Sequence, residues 1–117
     1  MGHYHQLLED LREPTKSLRA AIPDAWSGFA ALHKGAFQEG EISGALKEVI
    51  ALAISVVTEC DGCIAAHARS AARKGATPGQ VAEALGVVLL MNGGPASIYA
   101  PRAWAAYHEF AADSSTR

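Results

Sequence analysis

The stretch SGALKEVIALAISVVTECDGCIAAHARSAARKGAT, residues 43–77, reads as two helical segments joined by a short turn, and that reading decides the fold. Ser43 is a plausible cap for a helix running to about Thr58, because its side-chain oxygen accepts one of the first-turn amides that have no partner inside the helix. The run Val49 to Val57 is broken only by Ser55 and falls far short of the roughly 20 apolar residues of a membrane span, so it predicts a core helix. The second segment, from Cys60 to Lys74, stops at Gly75, a residue suited to the left-handed cap that closes many helices.

The rest of the chain repeats this helical punctuation and carries no strand signal. Thr77-Pro78-Gly79-Gln80 is the best local signal: the threonine caps, the proline fits the first helical position and the glutamine completes a capping box. The helix it opens runs to about Met91 and stops at Asn92-Gly93-Gly94-Pro95. Ala96 to Ala112 predicts a last helix, broken or bent near Pro101, with Ser114 to Arg117 as a frayed tail. Toward the N-terminus, Pro23 opens a helix whose apolar positions Trp26, Phe29, Ala30, Leu32, Ala36 and Phe37 recur at helical spacing until Glu39-Gly40-Glu41. His3 to Arg12 predicts a short segment ended by Pro14, with a further turn or two to Ala21. The expected fold is all-α: one domain over residues 1–117, a bundle of about six helices with its core over 23–110 and with 1–12 and 113–117 peripheral.

Composition agrees. Hydrophobic residues make up 50% of the chain and aromatics only 7%, so small side chains dominate the apolar share and suit helices laid closely against helices. A formal net charge of −2 lacks the basic excess of a nucleic-acid binder. Residues 1–10 lack the features of a signal peptide, and no segment is long enough to span a membrane. The expectation is a cytoplasmic protein without nucleic-acid or membrane partners. In such a compartment two cysteines are not a disulfide scaffold, and a disulfide there is usually transient and catalytic.

Chemistry concentrates at Cys60-x-x-Cys63-x-x-x-His67, twelve residues beyond Glu48. On a helix turning about 100° per residue, the two sulfurs and the imidazole fall within about 60° of one another. Two thiols at this spacing can close a disulfide, and the imidazole can take the proton that turns one of them into a thiolate. A zinc site is the competing reading, with His67 and then Glu48 or His108 as further ligands, but the second short-spaced ligand pair of structural sites is missing. Two unrelated core thiols are the third. The dithiol redox centre is preferred.

The residues alone do not say which sulfur attacks. Cys60 gains from the positive end of the helix dipole, Cys63 sits one turn from His67, and Asp61 opposes a thiolate on either. Glu48 is either solvated, which its place near a helix start favours, or a buried carboxylate that orients His67. Ser55 is on the same face but reads as a packing residue. His33 reads as a solvated or satisfied histidine. His3 and His5, at the chain end, are not expected to carry chemistry, and Trp26, Trp104, Tyr99, Tyr107 and Phe110 read as core or subunit-contact residues. No nucleotide or flavin motif is present, and no cofactor is expected.

Glu48, Cys60-Asp61-Gly62-Cys63 and His67, with Glu41-Ile42-Ser43, Lys47 to Ala53 and Gly75-Ala76-Thr77 around them, resemble the signature of the carboxymuconolactone decarboxylase superfamily, specifically its alkylhydroperoxidase (AhpD-like) branch. The resemblance spans roughly Pro23 to Phe110. It implies a helical domain assembled as trimers or hexamers, and a peroxidase that reduces a hydroperoxide and is recycled by a dithiol or lipoyl-type reductant. It also implies roles: Cys63 peroxidatic, Cys60 resolving, His67 the proton acceptor and Glu48 its buried partner. One position departs, because Gly62 stands where the best-characterised branch members carry a second histidine, which shortens the relay. Two alternatives stay open: decarboxylation of a small lactone acid by His67 and Glu48, and a non-catalytic oligomeric module that senses redox state or binds a metal.

Overall fold

The capping signals become six helices in a computed structural model that describes residues 2–115, with no strand among them. They are α1 (His3–Ala21), α2 (Pro23–Ala36), α3 (Gly44–Val57), α4 (Asp61–Arg73), α5 (Pro78–Asn92) and α6 (Gly94–Ser115). Ser43 caps α3 through its side chain, and Thr77 and Gln80 form the full capping box of α5. Gly93 closes α5 at φ 73°, and Pro95 falls in the first turn of α6, so the expected stop is two helix ends back to back. The α6 backbone continues through Pro101 to Ser115, and the rest of the expected frayed tail, 116–117, lies outside the described residues.

α4 is the centre of the bundle, packed between α3 and α6 and covered by α1. Ala65, Ala68 and Ala71 on its inner face are fully buried, and side chains this small let neighbouring helices approach closely. Leu52, Val56, Ile64 and Val81 fill the space around them, each worth about 1.5–3 kcal/mol of burial. The Tyr107 hydroxyl donates to the carbonyl of Ala76 at 2.6 Å, tying α6 to the turn after α4.

Two expectations fail here. Pro14 does not end the first segment: α1 is continuous to Ala21, because a proline inside a helix removes one amide bond without forbidding the next turn, and Tyr4, Leu7 and Leu8 hold the N-terminal half to the core. The Val49 to Val57 run is not wholly core. Val49, Leu52 and Val56 are buried, whereas Leu46, Ile50, Ile54 and Val57 form an exposed stripe on the other face of α3. α2 buries none of its residues; Phe29 and Leu32 face outward.

Candidate active site

α3 ends so as to deliver Cys60 to the start of α4. The amide of Cys60 donates to the carbonyl of Ser55 at 3.1 Å and that of Glu59 to Val56 at 3.1 Å, a Schellman closure with Glu59 at φ 55° in the left-handed position that glycine usually takes. The same closure ends α4, where Gly75 takes φ 89°. Cys60 is therefore the N-cap of α4, and its Sγ accepts the backbone N–H of Cys63 at 3.2 Å. The two sulfurs are joined in a disulfide, with Cα atoms 5.2 Å apart, and both residues are half-buried. Asp61, expected to oppose a thiolate, is paired with Arg102 of α6 at 3.3 Å, which offsets its charge and pins the start of α4 to α6.

Glu48 is 2% exposed, which overturns the solvated reading that its spacing favoured. α3 packs against α4 and brings Glu48 onto His67 and Lys74, so position along a helix does not predict exposure there. Its Oε2 lies 2.8 Å from His67 Nδ1 and its Oε1 3.2 Å from Lys74 Nζ. An ionised carboxylate only accepts, so Nδ1 carries the proton in the neutral ring and Nε2 is left as the basic nitrogen. Buried charge is tolerated because it is paired on both oxygens. The Phe37 ring, at the end of α2, stacks on His67 with centroids 5.6 Å apart, and Lys74 Nζ sits 5.2 Å from the same ring.

Glu48 and His67 are thus brought together, with the Cys60–Cys63 pair one turn before His67 on the same helix. Ser55 is not in this network: it is buried, and its hydroxyl donates to Ala51 of its own helix at 2.7 Å. His108, a fourth ligand in the zinc reading, stacks edge-on against Trp104 on α6. Among the described residues no group of three or more His, Cys, Asp or Glu is arranged to hold a metal ion.

Sequence reasoning missed Lys74 and Phe37. Lys74 follows His67 by seven residues, two turns along the same face, a signal that was legible. Phe37 reaches the site from another helix and had none. His5 also departs from expectation. Its Nδ1 lies 2.5 Å from Glu109 and its Nε2 2.6 Å from Asp113, so the chain end is latched to α6. Gly62 faces α1, where an added Cβ would meet the Leu11 side chain at 3.6 Å, an ordinary van der Waals contact.

Comparison with known proteins gives a match to the carboxymuconolactone decarboxylase family over residues 23–106. An uncharacterized protein of Cupriavidus necator is 39% identical over 98 residues, covering 84% of this chain and 87% of that one. A protein of Paracoccus denitrificans described as uncharacterized protein 4 in the cox locus is 39% identical over 95 residues, covering 81% and 83%. The crystal structure of an apo carboxymuconolactone decarboxylase family protein from Legionella pneumophila superposes with a TM-score of 0.89 at 31% identity, covering 92% of this chain and 96% of that one.

Proposed function

Because the chain belongs to the carboxymuconolactone decarboxylase family, we propose that it is a thiol-dependent peroxidase or disulfide reductase of the alkylhydroperoxidase type. The observation that carries this reading is a Cys60–Cys63 disulfide at a helix N-terminus, one turn from an imidazole whose Nδ1 is held by a buried carboxylate at 2.8 Å.

In the proposed cycle His67 Nε2 takes the proton of Cys63, and the thiolate attacks the terminal oxygen of a hydroperoxide. The O–O bond breaks, the sulfur is oxidised to a sulfenic acid, and the departing alkoxide takes the proton from His67 to leave as an alcohol. The Cys60 thiol then attacks the sulfenic sulfur, water leaves, and the disulfide closes. An external dithiol, a lipoyl-type compound by the family resemblance, reduces it again through a mixed disulfide. Glu48 holds the His67 tautomer throughout, and Lys74 balances its charge.

Association of several copies is part of the proposal. Its support is the exposed apolar stripe Leu46, Ile50, Ile54 and Val57 on α3, with Phe29 and Leu32 of α2 exposed as well.

The test is stoichiometric. Reduced protein mixed with an organic hydroperoxide is expected to lose both titratable thiols, Cys63→Ser to consume none, and Cys60→Ser to stop at a trappable sulfenic acid. Consumption by Cys60→Ser/Cys63→Ser at the wild-type rate would sink the reading. Carbon dioxide release from a lactone acid by that double variant would favour decarboxylation by Glu48 and His67 instead.

A further inference from the structure

Five of the chain's ten lysine and arginine side chains, Arg12, Lys16, Arg19, Arg69 and Arg73, line two adjoining depressions between α1 and α4, although the chain as a whole is net negative. The depressions have volumes of about 560 and 290 Å³ and share Arg12 and Arg69. Arg69 is the anomaly. Its Nε is buried with no hydrogen-bond partner, and burial together with the neighbouring charge of Arg73 lowers its pKa. A guanidinium nonetheless stays protonated in a protein, and among the described residues this one makes no ion pair.

Three other charges that leave full solvation are matched. Glu48 has His67 and Lys74, Asp61 has Arg102, and His5 has Glu109 and Asp113. Around Arg69 the acids are occupied: Glu9 pairs with Arg12 at 3.3 Å, and Asp113 is held by His5. Glu13 is on the lining, but among the described residues it makes no ion pair with these cations. The groove is a positive concavity: among the described residues its five cations outnumber the three acids of its lining, Glu9, Glu13 and Asp113.

We propose that this groove binds a small oxyanion ligand, a phosphate or carboxylate compound carrying two or more negative charges, with Arg69 at its centre. Guanidinium forks match planar carboxylates and tetrahedral phosphates through paired hydrogen bonds, and Lys16 adds a mobile point charge. The volume suits a small molecule. Gly62 and Ala66 form part of the lining and contribute little bulk, which leaves room for the ligand. Gly62 is also the residue before Cys63, so the ligand would lie beside the disulfide turn. Binding here goes beyond the thiol chemistry and does not depend on it.

Calorimetric titration of the full chain with inorganic phosphate and, separately, citrate, at ionic strength held constant with sodium chloride, tests this. At least one anion is expected to bind saturably, phosphate alone pointing to a phosphorylated ligand and citrate alone to a carboxylate. Arg69→Gln is expected to weaken binding about ten-fold or more. Should that variant fold poorly, Lys16→Gln/Arg19→Gln, on exposed positions, is expected to weaken binding as well. Weakening in either variant supports the site. No saturable binding of either anion, or wild-type affinity in both variants, overturns it. Because no turnover is read, failure here and failure of the peroxidase reading are separately visible.

Discussion

Lys74 Nζ stands 3.2 Å from Glu48 Oε1, the carboxylate oxygen that His67 leaves unused. One buried carboxylate thus serves a ring N–H and a cation. Charge that would otherwise be expensive to bury is held by a partly exposed lysine, so Oε2 stays available to orient the imidazole.

Glu48→Gln keeps the size of the side chain but removes the charge that holds the His67 tautomer. Peroxide consumption is expected to fall about a hundred-fold, the scale of a lost general base, while diamide still closes the Cys60–Cys63 disulfide. Lys74→Met is expected to reduce the rate less and to lower stability by about 1–3 kcal/mol, since it leaves one oxygen of a buried carboxylate without its partner. Stopped-flow consumption and urea denaturation check both. Equal rates in Glu48→Gln and wild type would remove the relay from the mechanism.

Stability is expected to depend on pH through the latch between His5 and α6. Hydrogen bonds to Asp113 and then Glu109 raise the His5 pKa, so its contribution is complete below the unfolded value of about 6.5 and is lost as pH rises through the higher folded value. Burial alone would raise the Glu109 pKa. The backbone N–H and ring of His5 and the backbone N–H of Tyr4 outweigh that and lower it, so its contribution is lost as pH falls through the depressed folded value. Denaturant midpoints measured across pH should decline on the alkaline side in wild type and flatten there in His5→Gln. An unchanged profile would detach the latch from stability.

Gly75→Ala is expected to lose about 1 kcal/mol, the cost of placing a Cβ in the left-handed region. Nothing lies within 4 Å of the added carbon, so the loss is conformational and not steric. Glu59 already takes that conformation with a side chain, and Glu59→Gly is expected to gain a few tenths of a kcal/mol. Thermal melts of both variants separate these outcomes.

Ile50→Glu/Ile54→Glu puts two charges on the exposed stripe of α3. Light scattering is expected to find wild type associated and this variant at the 12.2 kDa of one chain. A wild type that is monomeric at tens of micromolar would remove the association from the proposed function.

The helices were legible because their signals are local. Ser43, the Thr77-to-Gln80 box and Gly75 act on amides and carbonyls within four residues, and a helix closes its bonds over the same distance. Pro14 misled for the same reason. One lost amide bond is a local fact, but whether the helix survives it depends on what Tyr4 and Leu7 pack against.

The sequence by itself determined six helical segments and the grouping of Cys60, Cys63 and His67, since all three lie within two turns of one helix. Only the tertiary structure decided that Glu48 is buried, that Lys74 shares it, that Phe37 stacks on His67 and that Arg69 makes no ion pair among the described residues. Burial, pairing and their absence belong to the space between helices, and chain-local spacing carries no record of which side chains meet across it.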